Sequence, residues 1–351
     1  MAKSARSNVF SRSLQRTLKA MTRSAIRAGT KVVKQALRAP NPVTRKPATR
    51  KSAPAKTSLT RSKAATLVQL RTGFTVGLAG ALRYRLFVPP GVQHTQRLPL
   101  LVMLHGCGQS ADAFATSTRM NQIAAKEGFV VLYPEQNRLA NFQGCWNWHQ
   151  TRLGQTEAEA ILAAIHQVCQ HQAVDPTRIA VAGLSAGASM AIRVAVRDPA
   201  CFRAVVMHSG IAPGMAHSSV TALTAMRGHG VAAPLPALSA GAHLPALLVI
   251  QGSTDPLVAP GNAPMAAQLW ATREEAKAVP PRTVQRGARY PATLTDYKVK
   301  GRLVATLCEI RGLGHAWSGG AANQAFSDPK GPDASRMIWA FAVKQFAKLA
   351  T

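Results

Sequence analysis

Residues 183–187, Gly-Leu-Ser-Ala-Gly, place Ser185 directly after the apolar run of residues 179–182 and before a segment of small residues with helical character. A sharp turn from strand to helix needs residues without bulk beside the serine, and it lifts the hydroxyl clear of the sheet. A serine hydroxyl is a weak nucleophile at neutral pH, so an adjacent base must take its proton and a third group must orient that base. The pattern therefore predicts a nucleophilic serine, with an ordinary glycine-rich turn as the alternative interpretation.

The base and the acid are expected later in the chain, in the order serine, acid, histidine. His315 follows the last strand-like run, residues 303–310, and is the predicted base. Asp255 directly follows the apolar run of residues 247–250, so its carboxylate can project at the same sheet edge as Ser185. Together these three side chains could perform acyl transfer through a covalent intermediate.

Other acids and histidines after the serine are weaker candidates. Glu309 lies inside a strand-like run and is the second choice for the acid, while Asp198 precedes Pro199 and is predicted to end a helix. His208 ends a strand beside the serine strand, and we expect it to be a structural or pocket-lining residue. The other histidines in this part of the chain lie in irregular segments.

The oxyanion that forms in acyl transfer needs preorganised N–H donors, and losing one donor costs about 10²–10³ in rate in a comparable site. Residues 105–109, His-Gly-Cys-Gly-Gln, follow the strand-like run of residues 100–104. Folds that carry a nucleophilic serine on a sharp turn from strand to helix supply the first donor from a loop in this position. The backbone N–H groups of Cys107 and Ala186 are the predicted donors. The two glycines of the segment would let the loop approach a substrate closely, although a plain tight turn would use them equally well.

Strand-like and helix-like segments that would position these residues alternate along the chain from about Phe74 onward. Short runs rich in Val, Ile and Leu, typical of parallel strands covered on both faces, occur at residues 98–104, 129–133, 179–182, 204–207 and 247–250. Helices are predicted at residues 111–127, 155–172, 186–197 and 333–348. Residues 214–243 and 272–300 are expected to be excursions above the sheet. The alternation predicts an α/β fold with a mostly parallel central sheet and helices on both faces.

Positive charge is concentrated at the N-terminal end. The 351 residues carry a formal net charge of +29, and residues 1–111 hold 21 Lys and Arg and no acid. Residues 39–65 scatter prolines among small and basic residues, which cannot build a core. We predict a basic tail, disordered or helical, over residues 1–65 and a catalytic domain over residues 66–351.

Basic residues recur every three or four positions across residues 8–38, with apolar residues between them, which predicts an amphipathic helix. Such a helix could dock on an anionic surface, such as a membrane, nucleic acid or a polyester granule, and a solvated, partly folded tail is the alternative. The region lacks the uninterrupted apolar stretch of a secretory signal and resembles an organelle transit peptide. No apolar stretch reaches eighteen residues, which argues against a transmembrane segment.

Taken together, the motifs resemble the polyhydroxybutyrate (PHB) depolymerase family of esterases, which includes feruloyl- and acetylxylan-esterase-like members. The resemblance covers about residues 74–348. It rests, in chain order, on residues 105–109, Cys145-Trp146-Asn147-Trp148, residues 183–187, Asp255, and residues 312–320 (Gly-Leu-Gly-His-Ala-Trp-Ser-Gly-Gly), with residues 328–334 (Asp-Pro-Lys-Gly-Pro-Asp-Ala) adding to it. It implies an α/β-hydrolase fold and a hydrolytic triad, which coincides with the Ser185, Asp255 and His315 chosen from the residues themselves.

The resemblance also implies a disulfide between Cys107 and Cys145 that braces the predicted oxyanion loop. Such a bond fits an oxidising compartment, and five free thiols in a reducing cytosol are the alternative. The predicted location therefore stays open between extracellular or periplasmic and cytoplasmic or granule-associated.

Substrate contacts are expected beside the predicted catalytic loops, at His105, Gln109, Trp146, Trp148 and Trp317. The tryptophans could form an aromatic wall for an acyl chain or a phenolic ring, and core packing would explain them equally well.

Neither a metal nor a cofactor is expected. The chain has no compact Cys/His spacing of the zinc type, and serine acyl transfer requires no cofactor. Cys169, Cys201 and Cys308 are predicted to pack as small apolar residues.

Two classes of function follow from these observations. The first is a serine ester hydrolase acting on short-chain hydroxyalkanoate or related carboxylic esters. The chain ends soon after the last predicted helix, so soluble or short-chain esters are expected rather than crystalline polyester. The second is a catalytically silent α/β scaffold that docks on nucleic acid or an anionic surface through its basic tail. Ser185, Asp255, His315 and the oxyanion loop favour the hydrolase, because a silent scaffold needs none of them.

Overall fold

A computed structural model describes residues 70–77, 80–93, 95–235, 238 and 242–347. The chain divides into two units, Met1–Val68 and Gln69–Thr351, and every described residue lies in the second. The predicted tail of residues 1–65 lies outside the described residues, so its boundary, its helix and its docking on anionic surfaces stay predictions. No helix among the described residues is both long and apolar enough to span a bilayer.

The strands lie at β1 (Arg71–Gly77), β2 (Gly80–Phe87), β3 (Leu98–Leu104), β4 (Val130–Glu135), β5 (Val174–Leu184), β6 (Ala204–His208), β7 (Ala246–Gly252), β8 (Lys277–Ala278), β9 (Arg282–Val284), β10 (Ala292–Val299), β11 (Arg302–Ile310), β12 (Trp317–Ser318) and β13 (Ser327–Asp328). In the described part of the chain, β1 to β11 form one sheet in the order β1-β2-β4-β3-β5-β6-β7-β11-β10-β8, with β9 also paired to β10. The strands from β4 to β11 in this order pair in parallel, and β2 and β10 flank them in antiparallel pairs. The carboxyl ends of β5, β6, β7 and β11 therefore lie side by side along one edge.

The α-helices are α1 (Ala111–Thr118), α2 (Met120–Glu127), α3 (Thr151–His171), α4 (Ala186–Arg197), α5 (Ser219–Met226), α6 (Asn262–Arg273) and α7 (Ala334–Phe346). Successive side chains of a strand point to opposite faces, so each buried strand feeds two cores. Leu100 and Val102 of β3 join the core under α3, α4 and α6. Leu101 and Met103 join the core under α1, α2 and α7. Helices on both faces of a mostly parallel centre confirm the predicted α/β fold.

Three elements differ from the sequence-based expectation. The predicted helix over residues 111–127 is two helices, because Arg119 adopts a left-handed conformation with φ 55° between them. Residues 272–300 do not rise above the sheet but extend it, since β8, β9 and β10 form its antiparallel edge. The segment of residues 214–243 contains α5, which begins with a capping box at Ser218.

Candidate active site

Ser185 lies at the tight turn from β5 to α4 and has a strained backbone, with φ 56° and ψ −121°. Its neighbours must be small, because a side chain on Gly183 would meet the backbone of Gly187. A side chain on Gly187 would meet the carbonyls of Leu104 and His105, where β3 ends. The Ser185 N–H donates a hydrogen bond of 2.9 Å to the carbonyl of His208 at the end of β6. The Ser185 side chain is half-buried at the carboxyl edge of the sheet, where the sequence predicted it.

Asp255 and His315 meet at the same edge. The ring Nδ1 of His315 and the carboxylate Oδ2 of Asp255 are 2.8 Å apart. The side chain of Asp255 has no exposed surface and that of His315 is 7% exposed. The loops that carry them are joined by Thr254, whose N–H and Oγ1 both donate to the carbonyl of Leu313, at 3.1 and 3.0 Å. The pair is therefore held by the backbone of both loops.

Both oxygens of Asp255 are saturated by donors. Oδ1 accepts hydrogen bonds from the backbone N–H groups of Leu257 and Val258, both at 2.9 Å, and Oδ2 accepts one from Gln251 Nε2 at 3.0 Å as well as that from His315. Burial alone would raise the pKa of Asp255, but the hydrogen bond and charge of His315 and the two backbone donors together lower it below its ordinary value. The carboxylate is thus ionised and fixed in orientation.

His208 links the serine turn to the histidine loop. Its backbone carbonyl accepts from Ser185, and its ring Nε2 accepts from the backbone N–H of Ser318 at 3.2 Å. Burial, with the nearby positive charge of His315, lowers the pKa of His208 to about 3. The ring therefore stays neutral and can act as an acceptor, which agrees with the structural role expected for it.

The structure joins His315 to Asp255 by a hydrogen bond but does not join Ser185 to His315 in the same way. Among the described residues, no hydrogen bond joins Ser185 Oγ to His315. Catalytic hydrogen bonds between a nucleophile and its base are often long in unliganded sites and tighten when substrate binds.

The predicted oxyanion loop lies against the serine turn. A Cβ placed on Gly106 would lie 3.6 Å from the Cβ of Ser185. The disulfide between Cys107 and Cys145 is present, and it fastens this loop to the segment of residues 145–148. Ala186 is the first residue of α4, so its N–H has no acceptor within the helix and is free to serve a ligand. Gly106, which precedes Cys107, and Ala186 thus adjoin the serine, and the role of the Cys107 and Ala186 N–H groups as donors stays a prediction.

Four of the predicted substrate contacts have side chains in the interior of this structure, and their contact with a substrate stays a prediction. Trp146 and Trp317 have no exposed surface, and their Nε1 atoms donate to the His105 carbonyl at 3.1 Å and to Ser335 Oγ at 3.0 Å. His105 is 1% exposed, and Gln109 is 7% exposed and accepts from the Gly106 N–H at 2.9 Å. In this structure these side chains hydrogen-bond to the protein around the loops.

Trp148 is the predicted contact that keeps an accessible face, since its side chain is half-buried. Its backbone carbonyl accepts a hydrogen bond of 2.8 Å from Arg193 Nη1 on α4. Arg193 Nη2 also donates to the carbonyl of Thr151, where α3 begins. The backbone position of Trp148 is thereby fixed to the same helix that begins beside Ser185.

A buried carboxyl that sequence reasoning missed supports the tryptophan segment. Glu157 of α3 accepts hydrogen bonds from the Asn147 N–H at 2.6 Å, from Asn147 Nδ2 at 2.8 Å and from Gln136 Nε2 at 3.1 Å. Burial raises the pKa of Glu157, and these donors offset part of that effect. Its signal in the sequence is an acid inside the apolar stretch of a helix, four residues before Ile161.

Solved structures with the same arrangement of elements identify the fold. An acetyl xylan esterase from Aspergillus awamori matches with a TM-score of 0.59 over 70% of this chain and 94% of that chain, at 18% identity. A structure from a study of two prolyl endopeptidases matches with a TM-score of 0.54 over 80% of this chain and 39% of that chain, at 15% identity. The fold is the α/β-hydrolase fold.

The family follows from the sequence comparisons. The family model described as Esterase PHB depolymerase matches residues 82–273, more than half of the chain, and the chain belongs to this family. A poly(3-hydroxyalkanoate) depolymerase C of Paucimonas lemoignei is 33% identical over 196 residues, which is 52% of this chain and 46% of that protein. A probable acetylxylan esterase A of Neosartorya fischeri is 26% identical over 222 residues, 58% of each chain. This chain therefore spans about half the length of these curated relatives.

Proposed function

We propose that this chain is a serine ester hydrolase that cleaves short-chain hydroxyalkanoate or related carboxylic esters through an acyl-enzyme. Ser185 would be the nucleophile, His315 the general base and Asp255 the acid that orients the base. The observation that carries the proposal is the 2.8 Å contact between His315 Nδ1 and Asp255 Oδ2 at the sheet edge that also bears the strained serine turn.

The contact with the carboxylate selects the form of the histidine that can act as a base. An ionised Asp255 accepts a hydrogen bond, so the Nδ1 of His315 carries the proton and Nε2 is left with its lone pair. Nε2 takes the proton of Ser185 Oγ as that oxygen attacks the ester carbonyl. The imidazolium that forms is stabilised by the carboxylate beside it.

The rest of the cycle uses the neighbouring loop. The tetrahedral oxyanion would accept hydrogen bonds from the backbone N–H groups of Cys107 and Ala186. His315 then gives its Nε2 proton to the departing alcohol oxygen, which leaves the acyl group on Ser185. A water molecule, deprotonated by the same Nε2, attacks the acyl-enzyme and releases the acid. His315 returns each proton that it takes up, so the proposed cycle requires no cofactor.

The substrate class is supported by the names of the relatives and by exposed apolar side chains in the segment that leads to the disulfide. The relatives matched by sequence include a poly(3-hydroxyalkanoate) depolymerase C and a probable acetylxylan esterase A. Leu139 and Phe142, which precede the disulfide-bonded Cys145, are 97% and 68% exposed. Exposed apolar side chains of this kind, together with Trp148, would suit the acyl part of such esters.

Active-site labelling tests the proposal directly. The intact protein should react with a fluorophosphonate probe, and Ser185→Ala should abolish the labelling. Ser218→Ala, which removes another half-buried serine hydroxyl at the start of α5, is the matched control and should be labelled like the wild type. Failure of the folded wild type to react would contradict the hydrolase and favour the silent scaffold.

A substrate panel then distinguishes the ester classes. Aryl acetates, aryl butyrates, hydroxybutyrate oligomers, feruloyl esters and a PHB suspension should be compared at equal enzyme concentration. We expect hydroxybutyrate oligomers and short acyl esters to give the highest kcat/KM. Turnover confined to feruloyl esters would contradict the proposed acyl preference.

A further inference from the structure

Three metal-ligating groups of different chemistry meet on the surface formed by α3 and the end of α4. A ring nitrogen of His166, a carboxylate oxygen of Asp198 and the sulfur of Cys201 all lie within 4.8 Å of one another. His166 belongs to the last two turns of α3, and the other two belong to the 3₁₀ turn Pro199–Cys201 and its N-cap. The Asp198 carboxylate accepts a hydrogen bond of 3.3 Å from the Cys201 N–H, which holds these two ligands together.

We propose that His166, Asp198 and Cys201 bind one Zn²⁺ ion that joins the end of α3 to the turn after α4. Imidazole nitrogen, thiolate sulfur and carboxylate oxygen are the ligands that Zn²⁺ takes in proteins, whereas Mg²⁺ and Ca²⁺ require oxygen. Three protein ligands leave the fourth tetrahedral position to a water molecule. The site is independent of the proposed ester hydrolysis.

The distances allow a tetrahedral site after a small side-chain movement. Ligand atoms at about 2.0–2.3 Å from Zn²⁺ lie about 3.3–3.8 Å from one another. Because the three atoms lie within 4.8 Å of one another, they need to approach by at most about 1.5 Å. His166 is exposed and can rotate to close this gap, while Asp198 and Cys201 are half-buried and already held in place.

Zinc binding must displace the proton of Cys201. Burial, with the charges of Asp198 and the neighbouring Cys169, raises the pKa of Cys201 to about 12. A coordinated thiol is deprotonated by the charge of the ion, so the proton is released when the ion binds. Cys169 lies one helical turn after His166 and is a thiol beside the site, not one of its three ligands.

The ion would act on stability rather than on the reacting atoms. Ser185 precedes α4, and Cys201 follows the C-terminal end of that 12-residue helix, which is about 18 Å long. A ligand that binds only the folded chain raises its stability by mass action. The sequence analysis predicted no metal, because these ligands come from two separate elements. Their positions in the chain therefore form no compact Cys/His motif.

Cobalt titration of the full chain tests the assignment, because Co²⁺ substitutes for Zn²⁺ and a thiolate ligand adds a sulfur-to-cobalt charge-transfer band. We expect one Co²⁺ per chain with this band. Cys201→Ser should lose the band, and Cys308→Ser, which removes the buried thiol of β11, should retain it. A band that persists in Cys201→Ser would overturn the proposal.

A second pair of variants avoids the interior of the protein. His166→Ala and His171→Ala each remove an exposed histidine from α3. His166→Ala should weaken Zn²⁺ binding at least tenfold by calorimetry and lose the rise in Tm on adding Zn²⁺, whereas His171→Ala should match the wild type. Equal Zn²⁺ affinity in the two variants would overturn the site. A Cys169–Cys201 disulfide in the unreduced protein, detected by thiol titration and mass spectrometry, would overturn it as well.

Discussion

The indole Nε1 of Trp146 donates a hydrogen bond to the backbone carbonyl of His105 across 3.1 Å of the protein interior. The bond joins the segment after Cys145 to the residue at which β3 enters the loop beside Ser185. Trp146 therefore supports the proposed oxyanion loop from the interior of the protein.

Trp146→Phe should loosen that loop. The change keeps an aromatic ring but leaves the buried His105 carbonyl without its donor, which costs about 1–3 kcal/mol of unfolding free energy. Small displacements of catalytic groups are costly, so kcat/KM for an aryl ester should fall roughly ten- to a hundredfold. Urea denaturation and steady-state kinetics measure the two effects.

Trp270→Phe is the matched control for this prediction. Trp270 is fully buried, and its Nε1 donates to the Pro245 carbonyl at 2.8 Å, just before β7 begins. This variant should lose a similar amount of stability and keep its kcat/KM. Equal losses of activity in both variants would show that Trp146 has no special relation to the loop.

Asp255→Asn should lower kcat by about 10⁴, because an amide in this position favours the wrong histidine tautomer. KM should change little, since the side chain is buried behind His315 and does not reach a bound ester. Stopped-flow or long-incubation assays with aryl acetates would measure the residual rate.

The control for the carboxylate is Asp296→Asn. Asp296 lies on β10 and accepts hydrogen bonds from Arg282 and Thr306, both at 2.7 Å, at the far edge of the sheet. Its variant should retain wild-type kcat. A loss of less than tenfold in Asp255→Asn would argue against the proposed role of Asp255.

His208 should make the protein sensitive to acid. Its pKa is about 3 in the folded chain, whereas an unfolded histidine has a pKa of about 6.5. As the pH falls through this interval the unfolded chain takes up the proton first, so the folded state loses stability, with a limiting slope of about 1.4 kcal/mol per pH unit. His208→Gln can still accept from Ser318 but cannot titrate, and it should lose less stability than the wild type between about pH 6.5 and 3.

Urea denaturation at several pH values would compare the two proteins. His217→Gln removes an exposed histidine and should follow the wild-type dependence on pH. If the wild type and His208→Gln lose stability in parallel, the buried ring does not titrate as the structure indicates.

Replacing both Cys107 and Cys145 by Ser should lower the unfolding free energy by about 4 kcal/mol. The bond closes a loop between residues 38 positions apart, and the chain-entropy model gives a value of that size. Activity should also fall, because the oxyanion loop would then be tied to the segment around Cys145 only by hydrogen bonds, such as that from Trp146 Nε1 to the His105 carbonyl at 3.1 Å and that from the Gly108 N–H to the Gly144 carbonyl at 3.4 Å.

Reductant provides the control for the disulfide. A treatment that reduces this bond should bring the wild type to the stability of the double variant and leave the double variant unchanged. A double variant as stable as the oxidised wild type would contradict the prediction.

Features of the chain that depend on neighbours in sequence could be predicted from the sequence. The limits of β3 and α4 agree with the predicted residues 98–104 and 186–197, because a short apolar run and the stretch after a glycine-flanked serine are local patterns. The positions of Asp255 and His315 were also predictable. Each follows a buried strand, and the ends of parallel strands share one edge of a sheet.

Features that depend on distant partners could be decided only by the tertiary structure. Trp146 and Trp317 neighbour the catalytic loops in sequence, but their indoles point into the two cores because of the orientation of those loops. The zinc ligands His166 and Cys201 approach one another only because α3 and α4 pack side by side. The sequence by itself determined which reactive side chains the chain carries and at which edge of the sheet they lie. Packing decided which side chains face solvent, because burial is set by every element that covers a residue and not by its own neighbours.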